Sequence, residues 1–405
     1  MSIQEQIQIR KQKGLEIAKT GKVKLNGNKW IVPSQSLNKY YDVILKLDRS
    51  ECNCPDYQER QIKCKHIFAV EITVSRSLNR DGSVTVTQTK RIIYPQDWSN
   101  YTKAQNEEGR LFRVLLKDLV ANVDEPVQTF GRPRIPLKEA LFCAIEKVYS
   151  MQSSRRAYSL YVDAQQKGQI NKAPKYNIIN VKLNDKELTS ILYRLLEITA
   201  MPLRAVETEF SIDSTGFRTT KFGEYCHIKY ASQKRHHFLK AHLSVGVKTN
   251  VVVSAEITDE NSADSPHFIP LVNTIHNNGF QMVEVSADKG YLAKNNLDIV
   301  AEYGAIPYIP FKSNNQQHSK GSRVWNKMFH YYEMCRDEFM EHYHKRSNIE
   351  TTNMAIKMKF GDCLKNKNLV SQTNELLCKL IAYNITVLIN SMYELGIEPK
   401  FIVGE

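Results

Sequence analysis

The sequence predicts a mixed α/β protein, α+β overall: a mixed sheet flanked by helices, preceded by a helical region and a small β-rich module. Three observations predict it. Strand-like alternation begins at Thr208, after a long helical stretch. Helical periodicity returns after about residue 325 and dominates to the C-terminus. Four potential metal ligands, Cys52, Cys54, Cys64 and His66, crowd into the first 95 residues. The 405 residues exceed one ordinary hydrophobic core, so two or three domains are expected, and the changes of texture along the chain place three, over 1–95, 96–205 and 206–395.

In the first domain Lys29-Trp30-Ile31-Val32 and Tyr41–Leu47 read as strands, and Ile67–Val70 as the start of a helix. Between them lies C-x-C-x9-C-x-H. Zinc takes four soft or borderline ligands in a tetrahedron, and two tight pairs flanking a short excursion can supply them. Cys52, Cys54, Cys64 and His66 are therefore expected to hold one structural Zn²⁺, since protein fills all four positions. Over about 40–72 the pattern resembles the SWIM zinc finger, a ββα module linked with DNA or protein binding.

The second domain opens with a helix from Trp98 to about Val123, with Phe112, Leu115, Leu116 and Leu119 at helical spacing. Asp124-Glu125-Pro126 breaks it. The basic linker Gly131-Arg132-Pro133-Arg134 follows, and it could reach into a DNA minor groove. Helices are expected over 136–151, 154–167, 174–182 and 185–200, with Asn184-Asp185 capping the last. Residues 131–182 hold ten basic and three acidic residues, a net +7. Short basic helices joined by tight turns suit a helix-turn-helix, with Ala173–Asn177 starting the recognition helix.

In the third domain Asp213 and Asp288 each end a predicted strand, in SIDSTG and VSADKGY. Acids at adjacent strand ends can converge on hard cations. A hairpin is expected over 238–257 with its turn at Lys248-Thr249-Asn250, and a helix near 266–277 ending at Gly279. Further on stands Tyr343-x2-Arg346-x3-Glu350-x6-Lys357. At about 100° per residue these four side chains share one helical face. One acid, two bases and a phenol are no packing stripe; they suit a metal ligand flanked by phosphate-binding groups. A final helix near 373–393 lines up Leu377, Ile381, Ile385 and Leu388.

Here a second resemblance appears. Residues 343–357 match, without a gap, the Y-x2-R-x3-E-x6-K signature of DDE transposases of prokaryotic insertion sequences. The segments around Asp213 and Asp288 resemble that family's first two acidic blocks, and the likeness covers about 205–395. It implies a ribonuclease-H-like fold with Asp213 on the first strand, Asp288 after the fourth and Glu350 on a late helix. It implies that these three acids bind two Mg²⁺ (or Mn²⁺) ions, with Tyr343, Arg346 and Lys357 contacting DNA phosphates. The implied activity is hydrolysis at transposon ends and joining of 3′-hydroxyls to target DNA by two-metal catalysis. The implied partners are double-stranded DNA (terminal inverted repeats and target), with a homodimer expected on DNA. The sixty-one residues between Asp288 and Glu350 leave little room for a large β insertion.

Charge agrees with a polyanionic partner: 56 Lys and Arg against 43 acids give +13. The first residues lack a signal-peptide core and no run reaches about 18 apolar residues, so a cytoplasmic protein of the prokaryotic nucleoid is expected, with no membrane partner. Cys143, Cys226, Cys335, Cys363 and Cys378 are expected reduced and buried. Trp325 is expected in the core, and His236, His237 and His242 in surface or packing roles. Two rivals share these features, a transposase-derived DNA-binding protein without catalysis and a nuclease of the same fold. The intact acidic triad and the unbroken tyrosine-to-lysine spacing argue against the first, and strand-transfer products from a pre-cleaved end would separate a transposase from the second.

Overall fold

The computed structural model describes residues 3–20, 22–26, 29–35, 39–45, 50–60, 62–78, 84–88, 97–131, 133–219, 238–312, 315 and 321–401. Arg132, Cys226, His236, His237 and the end of the strand expected to Leu47 lie outside them. The chain forms two compact units, Met1–Gln96 and Asp97–Glu405.

The first unit begins with α1 (Ile3–Lys19), then β1 (Lys24–Asn26), β2 (Lys29–Pro33), β3 (Tyr40–Ile44) and β4 (Glu51–Cys52), which make an antiparallel sheet in that order. α2 (Pro55–Arg60) and α3 (Lys65–Thr73) follow, then a hairpin of β5 (Val74–Leu78) and β6 (Val84–Gln88). The strands alternate as expected, burying Trp30, Val32 and Val43 against Ile67 and Val70. α1 was not visible as a core element. It buries Arg10, Gly14 and Ile17, a stripe with one aliphatic side chain in it. Gly14 is there for proximity: a Cβ would sit 2.7 Å from Phe68 Cβ and 2.9 Å from the Lys65 carbonyl oxygen.

The second unit runs through α4 (Trp98–Ala121), α5 (Leu137–Tyr149), α6 (Ala157–Gln166), α7 (Tyr176–Leu183) and α8 (Lys186–Ala200). Asp97 caps α4 by accepting from the Asn100 amide, and Asp185 caps α8 through the Glu187 amide. Then come β7 (Glu209–Arg218), β8 (Phe238–Gly246), β9 (Val252–Asp259), α9 (Phe268–Asn277), β10 (Glu284–Ala287), α10 (Lys294–Glu302) and β11 (Ile306–Tyr308). α11 (Arg323–Met334), α12 (Arg336–Tyr343), α13 (Ser347–Phe360) and α14 (Leu369–Glu394) complete the unit.

Its five strands lie in the order β11-β10-β7-β8-β9. β7, β8 and β9 form an antiparallel meander, and β10 and β11 run parallel to β7. Counted from β7 this is order 3-2-1-4-5, the ribonuclease-H-like arrangement. The meander follows from short turns, with Asn250 at positive φ in the β8–β9 connection. The parallel strands need helical crossovers, which α9 and α10 provide. Among the described residues, the stretch between β11 and α13 carries two helices and no strand, so no β insertion stands there.

Four expectations change. The helices of 96–205 are no separate compact unit; one core runs from Ala104 through the sheet to Ile389. The cause is α14, which packs against α4, α5, α7, α8 and β9. α14 is therefore buried on nearly every face, not on one stripe. By length and composition it could cross a membrane, yet 83% of its apolar window is buried inside the protein. Nine residues separate α6 from α7, too many for the expected tight turn, and the two-residue connection instead joins α7 to α8. Cys335 is exposed and Cys363 half-buried, whereas Cys143 and Cys378 are buried as expected.

Candidate metal centre and candidate active site

In the first unit, β4 delivers Cys52, the turn after it Cys54, and the N-terminus of α3 brings Cys64 and His66 back beside them. All four are buried, and their ligand atoms lie within 4.8 Å of one another. His66 turns Nδ1 inward, 3.9 Å from the sulfurs of both Cys52 and Cys64, and its ring lies 4.6 Å from that of Tyr41. The crowding has an electrostatic consequence. Hydrogen bonds with Cys54 and Cys64, then burial, push the Cys52 thiol up, while the same contacts hold Cys54 down. Three thiols in one dry pocket ionise together only beside a cation, and soft sulfur with one imidazole matches zinc.

In the second unit, sheet register builds the acidic site. Ala287 pairs with Ile212 on parallel strands, so the next residues, Asp288 and Asp213, stand side by side about one strand spacing apart. The pairing is braced from within, with Ser211 Oγ and Ser286 Oγ 2.9 Å apart. Glu350 enters from the first turn of α13, which packs on β7 and β8.

The segment expected as one helix over 343–357 is instead two, α12 and α13, joined by a 3₁₀ turn at His344–Arg346. The tighter winding rotates side chains relative to a uniform α-helix, and successive residues of the turn make different contacts. Lys345 reaches Glu209 at 2.8 Å and Glu284 at 3.0 Å, two acids that face each other across β7 and β10. His342 adds a 2.8 Å contact to Glu284. Like charges directly opposite are destabilising, and Lys345 offsets them while fixing the turn to the sheet.

Arg346 then points at the acids. Its Nη1 donates to Asp213 Oδ2 at 2.8 Å and its Nη2 to Glu350 Oε1 at 2.5 Å. Its guanidinium carbon lies 5.8 Å from the centre of the Tyr343 ring, and the Tyr343 hydroxyl donates to Asp288 Oδ1 at 3.5 Å. Tyr343 and Arg346 together thus touch all three acids. Burial pushes the Asp213 carboxyl up; Asp288 and Glu350 add to this, against the Ser214 amide and Arg346. Among the described residues only the Cys/His cluster gathers as a compact ligand set; the carboxylates surround Arg346. Lys357 shares neither contact. It is half-buried, 5.4 Å from the centre of the Phe217 ring, and burial holds its ammonium down.

A network behind Asp288 was not anticipated. Tyr291 is buried in the 3₁₀ turn after Asp288, with its hydroxyl 3.3 Å from His242 Nδ1. His242 is fully buried and meets Thr258 through Nε2 at 3.1 Å. Burial, then neighbouring His267, hold it down to about 4, so it stays neutral at pH 7. Asp264 pairs with Lys240 at 2.6 Å. Its Oδ2 lies 3.4 Å from where a Cβ on Gly290 would be, and Asp288 Oδ2 lies 3.9 Å from the same point, so a methyl there would sit in ordinary contact with both carboxylates. Lys240 and His242 on alternate strand positions, and Gly290-Tyr291 after an acid, were the available signals. Asp264 had none. Trp325 is a core residue as expected, 8% exposed and edge-on to Phe311 at 5.0 Å.

Comparison with known families gives a match within each unit. Residues 204–385 match the transposase DDE domain family, and residues 41–75 match the SWIM zinc finger. Among solved structures, a piggyBac transposase synaptic complex with hairpin DNA is similar at 8% identity. The likeness covers 71% of this chain and 77% of that one, with a TM-score of 0.37.

Proposed function

We propose that this chain is a transposase that binds the terminal inverted repeats of its element as double-stranded DNA, cuts there, and joins the freed ends to target DNA. The observation that carries the reading is the convergence of Asp213, Asp288 and Glu350 on Arg346 and Tyr343, inside a region matching the transposase DDE domain.

Asp213, Asp288 and Glu350 offer hard oxygen donors, and the burial and neighbouring acids that push the Asp213 carboxyl up fit a site for cations. They would hold two Mg²⁺ or Mn²⁺ ions, which supply a sharpened nucleophile and a stabilised leaving oxygen. In the first step a water oxygen bonds to phosphorus and the P–O3′ bond breaks, leaving a 3′-hydroxyl and a 5′-phosphate. In the second that 3′-hydroxyl bonds to a target phosphorus and displaces a target 3′-oxygen, so bonds are exchanged without an energy source. Arg346 uses one N–H on each of two acids and retains others for a phosphate. Tyr343 positions the strand beside Asp288, and Lys357 contacts phosphate further along α13. Cys52, Cys54, Cys64 and His66 hold one Zn²⁺ that stabilises the first unit. The active assembly on DNA is a homodimer.

The test uses duplexes from the gene's own flanks with Mg²⁺ or Mn²⁺, one arm carrying a pre-cut 3′-hydroxyl end. Joined products support the proposal. Cleavage without joining supports a nuclease of the same fold, and binding with neither supports a DNA-binding descendant.

A further inference from the structure

The loop between α4 and α5 is built to present something. Its base is tied at both ends. Glu125 accepts from the Leu137 amide at 2.7 Å and the Lys138 amide at 3.0 Å, capping α5, and Lys138 Nζ returns to the Ala121 carbonyl at 2.7 Å, capping α4. Its tip is closed by one side chain: Gln128 Nε2 donates to the Phe130 carbonyl at 3.0 Å, and the Arg134 amide donates to Gln128 Oε1 at 3.1 Å. Gly131 supplies the positive φ of 95° at the bend. Pro126, Pro133 and Pro136 stiffen the rest.

What this clasp displays is apolar. Val127 is 91% exposed and Phe130 88% exposed, so neither supports the fold beneath. Beside them stands the exposed Arg134, with no ion-pair partner among the described residues. By sequence the segment 126–136 carries two arginines and no acid. An exposed aromatic on a stiff, basic loop matches one mode of nucleic-acid binding. An apolar wedge enters between base steps from the minor groove while arginine lies along that groove, where the potential is most negative over A·T runs.

We infer that the 126–136 loop is a minor-groove wedge. Phe130 inserts at a base step of duplex DNA and Arg134 reads the adjoining groove, at a contact separate from the acidic site. The identity of the partner rests on the proposed function, and the geometry of the loop does not. Pre-organisation by Gln128 lowers the ordering penalty of binding.

The test is binding of the full chain, without divalent metal, to 40-base-pair A·T-rich and G·C-rich duplexes, with donor and acceptor dyes on the DNA ends reporting bending. Phe130→Ala should weaken A·T-rich binding about tenfold and abolish the bend. Phe130→Leu, still a wedge, should restore most of both. Arg134→Ala should erase the A·T preference and reduce the salt slope of binding by about one. All three should melt with the wild type, because the side chains are exposed. Unchanged affinity and bend in Phe130→Ala overturn the inference and leave the transposase reading standing. Loss of self-association in Phe130→Ala with the salt slope and bend intact overturns it in favour of a second copy of the chain as occupant. A wild-type chain that binds no duplex overturns both readings.

Discussion

The Cys/His cluster and the acidic site proposed to bind cations are built in opposite ways. The Cys/His cluster draws four ligands from fifteen consecutive residues, closes them within 4.8 Å and buries them all. The acidic site draws its three acids from 138 residues of chain and leaves the Glu350 side chain 57% exposed. It places a protein cation, Arg346, between two of them. A closed site serves stability, because every donor is spent on one ion. An open site with hard donors serves chemistry, because substrate oxygens must enter. The difference teaches where each kind of damage should register: in folding for the first, in turnover for the second.

The sharpest way to break that contrast is to remove the acids. Asp213→Ala, Asp288→Ala and Glu350→Ala are each expected to lower cleavage on the order of 10³-fold or more, with DNA binding changed only a few-fold. Cleavage gels and anisotropy on the same preparations check this; near-normal Mg²⁺-dependent cutting by any one variant removes that residue from the triad.

The converse experiment is on the cluster. Metal chelation, or Cys64→Ser, is expected to unfold the first unit, since binding and folding of small zinc modules are coupled by about 10 kcal/mol or more. Limited proteolysis should then cut within residues 1–96 while 97–405 stays protected. Metal analysis that finds no zinc in the purified chain refutes the assignment outright.

These sites also differ in how much of them was legible. The zinc ligands could be read because their spacing is local: C-x-C-x9-C-x-H fixes the geometry almost unaided. The acids could not be read from spacing alone, since a parallel register brings Asp288 beside Asp213 across 75 residues; the signature around Glu350 carried that assignment. Most helices of 96–205 were legible from periodicity and caps, but not their union with the sheet, because that depends on α14, whose all-round burial cancels its amphipathic signal. The 3₁₀ turn at His344–Arg346 escaped because a uniform helix fits the same letters. α1 escaped because its buried stripe includes an arginine and a glycine.

That last case gives a smaller test. Gly14→Ala places a methyl against Phe68 and the Lys65 carbonyl, and overpacking of this kind costs about 1–3 kcal/mol. Urea denaturation of the first unit should show the loss while cleavage chemistry is unaltered. An unchanged midpoint refutes a tight α1–α3 approach.

The smallest expected effect asks whether Arg346 acts on the acids at all. Burial and two like charges hold the Asp213 carboxyl above the usual carboxylate range, with Arg346 and the Ser214 amide opposing. Its folded value is raised, so the protonated form is favoured by folding. That stability is full below the unfolded carboxylate pKa and is lost as pH rises through the folded one. Asp213→Asn, neutral at every pH, should therefore melt higher than wild type at pH 8 and close to it at pH 4. Metal binding needs the carboxylate, so the acid limb of the cleavage profile should lie above the usual carboxylate range. Removing the guanidinium removes a lowering influence, and Arg346→Ala should move that limb up by about one pH unit, beyond any loss of rate. Arg346→Lys keeps the charge and should leave the limb near its wild-type position while still lowering the rate, because a point charge cannot bridge Asp213 and Glu350 as a planar fork does. A limb that stays fixed in Arg346→Ala would show that Arg346 acts on phosphate alone, and that its contacts to the two acids do not tune them.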